Sequence, residues 1–232
     1  VYGVLVGKKP LIFTNNDSGY ETAIEFKKNG VNPLILDTRK EPSSDIITEA
    51  KNLGIEIKYS YVVVAAKGYK KVKSADIAKI SDNKKDLSNI ENIECDCICV
   101  SGFWTPSIHL ASQSGNKSEF NEKIDAFIPK KSKQNENTIG SANGKFTLEE
   151  TINEAFDKGY EVSNKITENN NKVSIPTVVE KKSTEHDKFW CVPLPKGKSY
   201  KRFLDFQNDV AVSDIKLALR EGFRSIEHVK RY

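Results

Sequence analysis

The chain has 232 residues, 38% of them hydrophobic and 29% charged, enough for one large domain or a medium domain with a small companion. Thirty-six basic against 32 acidic residues leave a net charge of +4, which gives no footing for a nucleic-acid partner, and no apolar run approaches the roughly 20 residues of a membrane span. Four Cys without a secreted-type framework fit a reducing cytoplasm, and the lack of Met together with a start in mid-pattern at Val1 reads as an internal fragment of a longer polypeptide.

The first unit reads as βαβ: a strand over Lys9–Thr14, a helix over Ser18–Asn29 stopped by Gly30, and a strand over Asn32–Thr38. Asp45–Leu53 is a helix with Ser43 or Ser44 as its cap, and Ile55–Tyr59 a third strand. Tyr61–Lys67 and Val72–Ser81 read as antiparallel strands around "KGYKK", followed by a polar loop, "SDNKKDLSNIENIE". Glu94–Val100 reads as a buried strand entering "SGFWTP" (101–106), a strand end that serves as an interdomain hinge or passes close to a cofactor. "TIGSANGKFTLEETINEAFDKG" (138–159) reads as strand, glycine turn and helix, with Gly140 and Gly144 as packing glycines. Residues 164–200 read as a linker, and 201–232 as a small helical domain with Ser213 and Ser225 as caps, Gly222 as a stop, and Phe203, Phe206, Ile215, Leu219, Phe223 and Ile226 as its core. The fold class is α/β, with 1–163 a Rossmann-like three-layer FAD/NAD(P)-binding region: 9–93 an inserted second nucleotide-binding-like domain, 94–163 the return to the first.

"TNNDSGYETA" (14–23) sits where such a fold carries its glycine-rich phosphate turn. The three glycine positions fall on Thr14, Asn16 and Gly19, so the packing glycine survives and the two that admit a pyrophosphate do not. Asn16 tolerates a left-handed backbone, but its side chain takes up room and Asp17 sets a carboxylate at the helix N-terminus. Asp37 ends the next strand where a ribose-binding acid belongs. The turn is either a working dinucleotide site or a retained frame, and the substitutions weigh towards an empty frame. Cys95, Cys97 and Cys99 alternate, so on one strand they share a face; without a second cysteine pair they read as buried thiols rather than a metal site. His109, His186 and His228 are scattered with no nucleophilic constellation.

"PLIFTNNDSGYETA", "CVSGFWTPSIHLASQSG", "IGSANGKF" and "FLDFQNDVAVSDIKLALREGFRSIEHVKRY" together resemble the α subunit of heterotetrameric sarcosine oxidase, from Tyr2 to Tyr232. The resemblance implies oxidative demethylation of sarcosine to glycine, with formaldehyde or methylenetetrahydrofolate and hydrogen peroxide as the other products. It implies partners (β, γ and δ subunits), NAD in this subunit, FAD and FMN in the complete complex, and tetrahydrofolate in a further domain. It implies a two-dinucleotide flavoprotein fold, in which Gly102, Gly140, Ser141, Ala142 and Asn143 meet NAD, Ser141 standing where an acid is usual, while Thr14, Asn16, Gly19 and Asp37 form the degenerate second site. No catalytic residue and no metal ligand fall in this stretch. The last 32 residues resemble small domains related to bacterioferritin-associated ferredoxin, whose first two cluster cysteines would fall on Asp205 and Gln207, so the cluster is expected to be absent. The rival readings are a non-catalytic assembly module with decayed nucleotide sites and an NAD-dependent flavoprotein reductase domain.

Overall fold

A computed structural model describes residues 4–167, 174–178 and 186–231; the parts of the expected linker at 168–173 and 179–185 lie outside them. The chain opens with β1 (Pro10–Thr14), α1 (Ser18–Lys28), β2 (Leu34–Asp37), α2 (Asp45–Asn52) and β3 (Glu56–Tyr59). A meander of β4 (Tyr61–Gly68), β5 (Val72–Lys79) and β6 (Glu91–Glu94) follows, and β7 (Cys97–Ser101) returns to the first sheet. That sheet has the order β3-β2-β1-β7 with every pair parallel. The meander is antiparallel.

These sheets and helices stack in three layers, and the strand sequences say why. A parallel strand covered on both sides is apolar at successive positions. In "PLIFT" and "LILD", Ile12 and Ile35 face a cluster with Tyr20, Ala23, Ile24, Ile47 and Ala50 from the two helices. Leu11 and Leu36 face the other way, onto Ala75 and Ile77 of the meander. Burying each such Ile or Leu contributes about 1.5–3 kcal/mol. Gly30, with φ 79°, ends α1 in the left-handed conformation that a helix-stopping glycine supplies.

Several expectations need correction here. The polar loop after residue 81 contains β6, whose Ile93 packs into the meander core; its single apolar contact hid it among Asn and Glu. The strand over Glu94–Val100 is two strands broken at Cys95–Asp96, where Asp96 accepts the backbone N–H groups of Lys8 and Lys9 at 2.8 Å each. The break flips the alternation. Cys95 packs with Leu11 and Leu36, whereas Cys99 packs on the helix side with its Sγ 3.8 Å from that of Cys97. The three thiols therefore do not share a face, and only Cys95 is buried; β7 is an edge strand and leaves Val100 70% exposed. Ser44 stands at the α2 N-cap, yet its hydroxyl makes no capping bond.

Beyond β7 come α3 (His109–Gln113), a hairpin of β8 (Ser118–Asn121) and β9 (Ala126–Pro129), a 3₁₀ turn at Gly140–Asn143, and α4 (Leu148–Thr167). No strand forms before the 3₁₀ turn, and α4 runs past the residue 164 where the linker was expected to begin. The C-terminal segment holds a hairpin of β10 (Phe203–Asp205) and β11 (Val210–Ala211), then α5 (Val212–Arg220) and α6 (Ile226–Arg231). It is thus not helical throughout. Ser213 does not cap α5; the Asp214 carboxylate accepts the N–H of Ala211 at 2.8 Å instead. Gly222 is left-handed (φ 97°) at the end of α5, as expected of a stop. The expected core is also corrected: Phe206 and Ile226 are 83% and 75% exposed, while the small residues Ala211 and Ala218 and Val229 are buried. No helix among the described residues is long and apolar enough to cross a membrane.

Candidate functional site

The chain leaves β1 for β2 on one side, while β7 lies on the other, so the strand order reverses between β1 and β7. In open parallel sheets ligands occupy the crevice outside the carboxyl ends of the strands at such a point. Here those ends carry Thr14, Asp37 and Ser101, with Gly102 just beyond.

The turn after β1 is closed by its own side chains. Thr14 is buried and its Oγ1 donates to the carbonyl of Asn16 at 2.9 Å. Gly19 is required by that threonine: a Cβ there would lie 2.7 Å from the Cβ of Thr14. Asn16 is buried and does not use the left-handed backbone. Its Oδ1 accepts from the N–H of Ser18 at 2.9 Å and from the Ser18 hydroxyl at 2.7 Å, and its Nδ2 donates to Asn15 Oδ1 and to the carbonyl of Ser101. The carboxamide thus occupies the first amide donor of α1, the kind of group a phosphate would use.

Asp37 is fully buried, in an ion cluster internal to the chain. The Arg39 guanidinium sits on it with Nη2 2.9 Å from Oδ2, Tyr20 donates its hydroxyl to the same oxygen at 2.7 Å, and Arg39 also holds Asp17 at 2.8 Å. Burial, reinforced by the charge of Asp37, pushes the Tyr20 hydroxyl well above its ordinary pKa. Burial opposes the Arg39 cation, but its hydrogen bonds and charge interaction with Asp37, then with Asp17, outweigh that and raise it. The carboxylate that would accept from a ribose is therefore engaged by the chain's own groups.

The 140–143 turn shows the same pattern. Gly140 has φ 67° and donates its N–H to Glu154 Oε2 at 2.7 Å; Asn143 Nδ2 donates to Glu154 Oε1 at 2.6 Å. Ser141 is exposed and Ala142 half-buried. Gly144 (φ 78°) packs against Ile124, whose Cδ1 would lie 2.7 Å from an added Cβ. No described atom set brings Ser141, Ala142 or Asn143 together with Thr14, Asn16, Gly19 and Asp37; Gly102 alone joins the latter group, lining a cavity of about 200 Å³ with Phe13, Thr14 and Ser101.

The other wall of that cavity is residues 189–192. This stretch of the connector crosses the carboxyl edge of the sheet. Asp187 donates its N–H to the carbonyl of Asn15 at 2.8 Å, and Asn15 Nδ2 returns a bond to the Asp187 carbonyl at 2.8 Å. Asp187 pairs with Lys84, His186 stacks on Phe103 with ring centroids 3.8 Å apart, and Trp190 Nε1 donates to Asp125 at 2.7 Å. Nothing in the residue pattern foreshadows this contact, since its partners lie 172 positions apart. Arg39, two residues past Asp37, was within reach of sequence reasoning; Glu154, eleven residues past Asn143, faces that turn only because of how α4 returns. Among the described residues, no group of three or more His, Cys, Asp or Glu could hold a metal ion, and Asp205 is occupied in its own turn by Gln207 N–H (2.8 Å) and Asn208 Nδ2 (2.7 Å).

Among solved structures, 2-naphthoyl-CoA reductase is similar with a TM-score of 0.47 (16% identity, 67% of this chain and 21% of that one). Thioredoxin reductase of T. acidophilum scores 0.43 (16% identity, 60% and 48%). Residues 199–232 match the sarcosine oxidase A3 domain. Sarcosine oxidase subunit alpha of Rhizobium meliloti is 29% identical over 100% of this chain and 22% of its own length, and that of Corynebacterium sp. strain U-96 is 28% identical over 100% and 24%. The chain spans about a quarter of the length of these relatives, and along all of its own length it is similar to the α subunits of sarcosine oxidase.

Proposed function

We propose that the chain is the central part of the α subunit of a sarcosine-oxidase-type enzyme, an oxidoreductase acting on CH–NH donors with oxygen as acceptor. The observation that carries this is the end-to-end similarity to three sarcosine oxidase α subunits. In that reading sarcosine, oxygen and water yield glycine, formaldehyde and hydrogen peroxide, or tetrahydrofolate takes up the one-carbon unit and leaves as methylenetetrahydrofolate. FAD and FMN carry the redox chemistry in the complete complex, tetrahydrofolate is held in another domain, and the β, γ and δ subunits are partners in the cytoplasm. This chain contributes to assembly and, through Gly102 and the 140–143 turn, to NAD binding. For NAD to use that turn, Glu154 must give up the Gly140 N–H and the Asn143 amide, which it now holds.

That requirement favours a second reading of the chain's part in the same enzyme, namely that its nucleotide folds are architecture whose anion sites are filled internally by Asn16 and Glu154. One experiment separates the two. The full subunit carrying an affinity tag is purified with its partners, assayed for sarcosine-dependent peroxide, and extracted for nucleotides. Peroxide formation with stoichiometric NAD that falls on Asn143→Ala supports NAD contact here. Peroxide formation with NAD content unmoved by that substitution favours architecture, and no oxidation of any N-methyl amine overturns the proposal.

A further inference from the structure

We propose that residues 186–192 are a releasable strap that partitions the crevice at the carboxyl end of the parallel sheet, and that releasing it opens a site of nucleoside size. This does not depend on the oxidase reading. The strap divides the crevice into compartments that share its residues. One, of about 460 Å³, lies towards Thr38, Lys40 and Ser60 and is closed by His186 and Asp187. Another, of about 200 Å³, lies towards Phe13 and Ser101 and is closed by Phe189 and Trp190. Thr38 lines both, so the two compartments adjoin at the residue over which the strap passes.

The seat is poorly satisfied. Thr38 Oγ1 and Asp187 Oδ2 are buried with no hydrogen-bond partner among the described residues, an arrangement native interiors rarely keep. Trp190, the largest strap side chain, remains 74% exposed. Phe103, on which His186 stacks, is held at φ 82°, a strained conformation for an aromatic residue that costs on the order of 1–3 kcal/mol. Orphaned groups and an exposed anchor lower the free energy of local opening relative to the core beneath. The strap also continues into the C-terminal segment, where Arg202 Nη1 donates to the Val192 carbonyl at 2.9 Å and contacts Cys191 Sγ at 3.1 Å, so movement of residues 199–232 acts on it directly.

The ligand class follows from what stays filled when the strap leaves. Asn16 still occupies the α1 amide and Arg39 still holds Asp37 and Asp17, so the helix N-terminus and the guanidinium that a dinucleotide's pyrophosphate would use stay engaged. The merged space offers the Phe13 ring, the Thr38 hydroxyl and the Lys84 ammonium, whose partners Asp187 and the Lys188 carbonyl leave with the strap, and these match a base, a sugar and a single phosphate. Amide exchange and adenosine 5′-monophosphate titration test this on the full chain. The Asp187 N–H will exchange at least a hundredfold faster than those of Ile12 and Ile35, and Asp187→Ala with Trp190→Ala will bind the monophosphate at least tenfold more tightly than the unaltered chain. Protection of Asp187 equal to that of the β1 and β2 amides overturns the proposal. So does equal affinity in a variant that still melts cooperatively.

Discussion

The carboxylate of Glu154 accepts the backbone N–H of Gly140 at 2.7 Å, so a turn shaped to offer donors to an anion is answered from within the chain. Replacing Glu154 with Ala leaves the Gly140 N–H and the Asn143 amide unmatched and lowers stability by about 1–3 kcal/mol; Glu154→Gln, which keeps an acceptor, costs less. Thermal melting of both variants reads the difference.

Gly19→Ala drives a methyl group into Thr14, where the contact would be 2.7 Å, and costs about 1–3 kcal/mol. Pairing it with Thr14→Ala, which removes the colliding atoms beyond Cβ, recovers part of the loss. A double-mutant cycle by denaturant unfolding measures the coupling, and additive effects would contradict the interlock.

Arg39→Met strands the fully buried Asp37 and lowers stability by about 3–5 kcal/mol. The double change Asp37→Asn, Arg39→Met removes both charges and is milder than the single one. Urea midpoints of the three proteins check the order.

Glu161, bonded by Lys158 and Lys165, has its carboxyl lowered to about 2. A depressed carboxylate stabilises above its unfolded value of 4.5, and that contribution fades as pH falls towards 2. Carbon-detected NMR titration will place the Glu161 midpoint near 2 and move it up in Lys158→Ala.

Burial, then the neighbouring Cys97, pushes the Cys99 thiol up to about 11. At pH 8 iodoacetamide will therefore label exposed Cys191 first, half-buried Cys99 more slowly, and buried Cys95 only after unfolding. Mass mapping of a time course reads the sequence of labelling.

The βαβ start was legible because β1 and β2 bury both faces and so print unbroken apolar runs, and because Gly19 and Gly30 mark an approach and a stop. Strand β6 was not legible, since one packed isoleucine in "ENIE" carries no period. The cysteine alternation misled because a two-residue break at Cys95–Asp96 is fixed by backbone donors of Lys8 and Lys9, which leave no trace in side-chain pattern. At the candidate site the residue types were readable but their commitments were not: Asp37 looks the same in sequence whether a sugar or Arg39 sits on it.

The bond between Asn15 and Asp187 also sets an order of events in biosynthesis. Asn15 leaves the ribosome 172 residues before its partner, which at about 5–20 residues per second is an interval of roughly 10–30 seconds. In the later half of it, once β7 has been made, the three-layer core can close while the carboxyl edge of its sheet stands open, with Thr38 and Phe13 in water. Every newly made molecule thus passes through the unstrapped form before it reaches the strapped one, and whatever small molecule that edge can take up meets it first on the nascent chain.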